Sequence, residues 1–113
     1  MKREYRHFLE DIIAAIDRIQ EFLGDLTFEE FIHDDKTSSA VIRKLEIIGE
    51  AAKNIPSKVR DDLDLPWKEM IRMRDRISHA YFGVDLEIVW RVVKERIPDI
   101  KPLVVKMLKE SNN

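Results

Sequence analysis

An all-α fold, an up-and-down bundle of four to five main helices, follows from three observations. Apolar residues recur at steps of three and four along most of the chain, only 3 Gly and 4 Pro interrupt 113 residues, and no stretch alternates as a strand does. With 44% hydrophobic and 37% charged residues, the chain reads as one folded domain, residues 1–113. It is neither disordered nor fibrous in composition.

Each element has its own signal. Phe8, Ile12, Ala15, Ile16, Ile19 and Leu23 mark a first helix over Tyr5 to Leu23, with Gly24 as its stop. Asp25 or Thr27 can cap a short second helix, Phe28 to His33, and Asp34 to Ser39 offers several caps for the next. The third helix carries Val41, Leu45, Ile48, Ala52 and Ile55 on one stripe, which Ile42, Ile47 and Ala51 widen, so it should touch neighbours on two sides. Gly49 in its middle costs about 1 kcal/mol relative to Ala and therefore points to a close approach, by its own chain or by a partner.

Pro56-Ser57 ends that helix, Lys58 to Leu63 can add a single turn, and Pro66 opens a fourth helix with Trp67, Met70, Ile71, Ile77 and Ala80 inward. Gly83 breaks it. Asp85 caps a fifth helix through Leu86, Val89, Trp90, Val93 and Ile97, which Pro98 is expected to interrupt. A last segment runs from Asp99 to Glu110, where Pro102 is tolerable only in the first turn.

Composition excludes several functions. No cysteine is present, which removes disulfides, thiolate metal sites and a cysteine nucleophile. Twenty Lys and Arg against 22 Asp and Glu give a net charge of −2, so any nucleic-acid contact must be local. His7, His33 and His79 are scattered, without metal-ligand spacing. The basic N-terminus precedes an apolar stretch broken by Glu10, Asp11, Asp17 and Arg18, unlike a signal peptide, and about 18 consecutive apolar residues occur nowhere. A soluble, cytoplasmic protein is expected.

Functional side chains concentrate between Arg72 and Gly83, at the end of the fourth helix. Helical spacing puts Arg74, Ser78 and Tyr81 along one line and lets Asp75 reach His79 four residues on. A carboxylate beside an imidazole favours its cationic form and fixes its ring, as acid–base chemistry requires, and Arg74 supplies a fork of donors suited to phosphate. Arg72, Arg76 and Lys68 could widen a phosphate patch. The same spacing also occurs on ordinary solvated helix ends, and chemistry alone does not decide between the two.

The residues Arg74, His79 and Tyr81 form an R-x4-H-x-Y pattern that resembles the motif of HepT-like proteins, ribonuclease toxins within the larger HEPN group. The likeness extends to the segment Ala40 to Pro56, to Pro66 through Ile71 and to Tyr81 through Asp85, in the family's order. The resemblance implies an HEPN-like helical domain and a metal-independent endoribonuclease without a cofactor. It further implies the toxin half of a type VII-like toxin-antitoxin pair, acting on transfer RNA or other cellular RNA. His79 would take the proton of a ribose 2′-OH while Arg74 stabilises charge on the phosphoryl oxygens. One histidine per chain leaves the departing 5′-oxygen without an acid, so a homodimer bringing two copies of the motif into one cleft is expected. The residue after the motif arginine is often Asn in the family, and here Asp75 adds a supporting carboxylate.

The same resemblance implies that Tyr81 is adenylylated by a minimal nucleotidyltransferase antitoxin of the MNT type. The added phosphates would then occupy the Arg74 site and repel RNA. A reading from another class stays open: a non-catalytic helical dimer that binds a nucleotide or serves as partner or regulatory subunit of a nucleotidyltransferase. The two separate at His79. Elsewhere, Trp67 and Trp90 are spaced as core residues, and His33 reads as a surface turn. Glu46 and Glu50 could support Arg74 from the third helix, although pairing with Arg43, Lys53 or Asn54 is the simpler expectation.

Overall fold

The protein, seen in a computed structural model, is described over residues 4–78 and 83–111. Helix α1, Tyr5–Leu23, buries Leu9, Ile12, Ile16 and Ile19 completely. It stops at Gly24, whose φ of +47° favours glycine and whose N–H donates to the Gln20 carbonyl at 3.0 Å. Helix α2, Phe28–His33, starts from a reciprocal cap: the Glu30 N–H donates to Thr27 Oγ1 at 3.2 Å, and the Thr27 N–H donates to Glu30 Oε1 at 3.0 Å.

Helix α3, Asp35–Asn54, is capped by Asp34 alone, which accepts from the Thr37 N–H at 3.0 Å and the Thr37 hydroxyl at 2.7 Å. These bonds hold the Asp34 carboxyl below its ordinary pKa, the side-chain bond contributing most. The helix thus absorbs Thr37, Ser38 and Ser39, and Ser38 is buried with its hydroxyl donating to the Asp35 carbonyl at 3.2 Å. Helix α4, Ser57–Asp62, is a short turn after Pro56, and α5, Trp67–Ser78, begins directly after Pro66. Trp67 is buried at this junction with its indole N–H donating to the Leu63 carbonyl at 3.0 Å.

Asp85 caps α6, Leu86–Arg91, by accepting from the Glu87 and Ile88 N–H groups at 3.0 and 3.4 Å. The expected break at Pro98 does not occur. A π-helical turn, Val92–Arg96, joins α6 directly to α7, Ile97–Ser111, so Pro98 falls in the first turn of α7 and Pro102 lies beyond it. The Ile97 N–H reaches back to the Val92 carbonyl. Such a widened turn makes room for a proline ring that would crowd the carbonyl four residues earlier. Both prolines are exposed, so water can serve the carbonyl that Pro102 leaves without a donor.

Helix α3 packs against α1 on one side and α5 on the other, and α7 packs on α1. Phe31, Val41, Leu45, Ile48, Ile97 and Val104 join the buried α1 residues in one cluster, each such side chain contributing roughly 1.5–3 kcal/mol through burial. Trp90 sits at the cluster's edge, half-buried against Phe31 and Phe28 with ring centroids 5.3 and 5.8 Å away, and the Lys94 ammonium lies 4.9 Å from its ring centre. Lys101 ties α7 to α1 through Asp17 at 2.7 Å. No described helix is long and apolar enough to cross a membrane.

Candidate active site

Helix α5 presents two chemically different faces, because about 100° separates successive residues and Arg74 therefore lies across the helix from Lys68, Arg72 and Arg76. Arg74 faces α3. It passes over Gly49, where an added Cβ would lie 2.8 Å from Arg74 Cγ and 3.0 Å from the Met70 carbonyl oxygen, and nearer still to Arg74 Cβ. The neighbour that Gly49 admits is thus α5 of the same chain.

Beyond Gly49 the guanidinium lies between two carboxylates. Arg74 Nη2 is 3.7 Å from Glu50 Oε1, and Arg74 Nη1 donates to Asp75 Oδ1 at 3.3 Å. Arg74 Nε is buried and, among the described residues, has no hydrogen-bond partner, while the side chain as a whole remains 26% exposed. Glu50 therefore reaches across to Arg74, and Asn54 instead donates to the Glu50 backbone carbonyl at 2.8 Å. Arg74 takes the place of these local partners beside the Glu50 carboxylate because Gly49 brings α5 within reach. His79 and Tyr81 lie outside the described residues, as does the expected contact between Asp75 and His79.

Lys68, Arg72 and Arg76 are exposed and line a different feature, a groove of about 850 Å³. Its floor is apolar, with Leu45, Ile48, Met73, Val89 and Val92 among its walls. The three cations are thus not brought beside Arg74. Local sequence patterns do not reveal this groove, since α3, α5, α6, the π turn and α7 all contribute to it. An ion pair joins two of its walls: Arg96 Nε and Nη2 donate to the Glu69 oxygens at 2.7 and 2.8 Å. The Arg96 hydrogen bond holds the Glu69 carboxyl below its ordinary pKa, against the smaller opposing effect of burial. Among the described residues no group of three or more His, Asp or Glu side chains is placed to hold a metal ion.

Comparison with known proteins places this all-helical chain among ribonucleases, enzymes whose substrate is RNA. The family model "Ribonuclease HepT-like" matches residues 12–107. The chain belongs to the HepT-like ribonuclease family. It is 53% identical over 110 residues to the "Probable ribonuclease HepT" of Thermococcus cleftensis, covering 96% of this chain and 100% of that one. A protein of Methanocaldococcus jannaschii named as an RNase is 46% identical, over 90% of this chain and 86% of its own. Another so named, from Caldanaerobacter subterraneus subsp. tengcongensis, is 38% identical over 93% of this chain and 95% of its own. No solved structure matches the chain.

Proposed function

We propose that this single-domain protein is a metal-independent endoribonuclease toxin of a type VII-like toxin-antitoxin pair. It acts in the cytoplasm on transfer RNA or other cellular RNA and works as a homodimer. The observation that carries this reading is the seating of Arg74, a partly exposed guanidinium held at the α3–α5 contact five residues before His79. His79 accepts the proton of a ribose 2′-OH, the freed oxygen attacks the adjacent phosphorus, and Arg74 stabilises the charge that gathers on the phosphoryl oxygens. The P–O5′ bond breaks, leaving a 2′,3′-cyclic phosphate and a 5′-OH, whose proton comes from His79 of a second copy. Imidazole and guanidinium then supply the proton transfer and charge stabilisation that a metal-bound water would otherwise provide.

Asp75 supports the pair by holding Arg74 and by raising the basicity of His79. Arg72, Arg76 and Lys68 hold more distant RNA phosphates from the far side of α5. Tyr81 is the adenylylation site for a cognate MNT-type nucleotidyltransferase, and the added nucleotide closes the Arg74 site to RNA. The test is cleavage of a bulk transfer-RNA pool in excess EDTA by protein whose intact mass shows no modification. Cleavage by wild type, lost in Arg74→Ala and His79→Ala, is the expected result. A folded, dimeric, unmodified protein that leaves the pool intact would instead be a nucleotide-binding or regulatory subunit.

A further inference from the structure

We propose that Glu50 is a positioning residue for RNA cleavage, its carboxylate acting with Asp75 to fix the Arg74 guanidinium in the orientation that meets the phosphoryl oxygens. The proposal rests on Arg74 being the group that stabilises the transition state. Three features of the α3–α5 contact lead to it. First, the backbone at Gly49 leaves no room for a Cβ, so the first carbons of Arg74 lie on α3 and the side chain is delivered beside the next residue, Glu50. Second, Arg74 Nε is buried without a hydrogen-bond partner among the described residues, so nothing there fixes the plane of the head. Third, each end of the head meets its own carboxylate, Nη2 in an ion pair with Glu50 at 3.7 Å and Nη1 donating to Asp75 at 3.3 Å.

A guanidinium carries two N–H groups on each terminal nitrogen. One Nη1 N–H is spent on Asp75 and Nη2 faces the Glu50 carboxylate as an ion pair, which leaves an N–H on each terminal nitrogen for a planar, two-pronged contact with a phosphate. Two carboxylates around one cation leave the trio with a net negative charge, which opposes binding of an anionic strand. Orientation and affinity are therefore affected with opposite sign. Losing Glu50 loosens the head, which lowers kcat, and removes a negative charge, which leaves KM for RNA unchanged or lower. A residue that merely supported the fold would not separate the two in this way.

The experiment uses the full chain, the single variants Glu50→Ala, Glu50→Gln, Arg74→Lys and Arg74→Ala, and the Glu50→Ala/Arg74→Lys double variant, with transfer RNA as the probe. Glu50→Ala should lose about tenfold or more in kcat, as misplacement of a reacting group does, without a rise in KM. Glu50→Gln, which keeps an oxygen in place, should fall between it and wild type. Both should melt with wild type, because Glu50 is 44% exposed and its ion pair adds little to stability. In the Arg74→Lys background the Glu50→Ala effect should largely vanish, because the two residues act as a unit.

A second readout needs no catalysis: the NMR order parameter of the Arg74 Nε–H should be high in wild type and fall in Glu50→Ala. A wild-type kcat in Glu50→Ala overturns the proposal, as does a loss that persists in full in the Arg74→Lys background. If Arg74→Ala cleaves as fast as wild type, the site reading fails and the role of Glu50 fails with it. If Arg74→Ala is inactive while the Arg74 head stays rigid in Glu50→Ala, only the role of Glu50 fails.

Discussion

Gly49 of α3 and Arg74 of α5 meet so closely that Gly49 has no space for a side chain. A methyl group on Gly49 would come within 2.8 Å of Arg74 Cγ and 3.0 Å of the Met70 carbonyl, one a side chain and the other a backbone atom. The contact makes a helix-weakening residue necessary at the place where the candidate catalytic arginine is seated.

Gly49→Ala should therefore destabilise the protein. The gain in helix propensity is about 1 kcal/mol. Overpacking at a tight helix contact costs roughly 1–3 kcal/mol and should outweigh it. Urea denaturation checks the sign, and a more stable variant would show that the α3–α5 contact yields more than this. Arg74→Ala should not relieve the strain, because the nearest atom is the Arg74 Cβ, which alanine keeps.

Arg74→Ala and His79→Ala should each lower kcat by about 10²–10³ or more while circular dichroism stays that of wild type. Gel-based cleavage of transfer RNA measures the loss. Undiminished cleavage by either variant would remove that residue from the mechanism.

The cations on the other face of α5 should behave differently. Arg72→Ala and Arg76→Ala should raise KM for RNA with little change in kcat, and should flatten the dependence of binding on salt by about one unit of slope each. Salt titrations of RNA affinity decide the matter. An unchanged slope would mean that these residues serve the apolar groove they line and make no contact with RNA.

The Glu69–Arg96 bridge should make stability depend on pH in one direction. Because the Arg96 hydrogen bond lowers the Glu69 pKa on folding, the bridge's contribution is complete above the ordinary carboxylate range and is lost as pH falls through the lowered folded value. Glu69→Gln should accordingly melt below wild type at neutral pH and converge with it in acid. Thermal melts across the range check this, and a difference that persists in strong acid would mean that Glu69 acts through something other than its charge.

Thr27→Ala removes the side-chain acceptor for the Glu30 N–H and breaks the reciprocal cap of α2, so it should cost about 1 kcal/mol. Equilibrium unfolding in urea measures it. A neutral result would show that α2 is held by Phe31, fully buried, and not by its cap.

Most of the helices were legible as local pattern. The bounds of α1, the cap at Thr27, the start of α5 after Pro66 and the cap at Asp85 all follow from spacing and side-chain chemistry within a few residues. Pro98 misleads for a physical reason: a proline ends a regular α-helix, but a π turn just before it absorbs the ring, and no local residue pattern announces that turn. Glu50 misleads similarly, since several nearby side chains within its own helix could have paired with it.

By itself the sequence determined the helical periods, the caps, the absence of cysteine chemistry and the R-x4-H-x-Y spacing, because each depends on residues one or two turns apart. Only the tertiary structure decided which face of α5 meets α3, that Glu50 lies beside Arg74, and that Lys68, Arg72 and Arg76 border a groove instead of joining Arg74. Those outcomes depend on how closely two helices approach, and a single missing Cβ at Gly49 sets that distance.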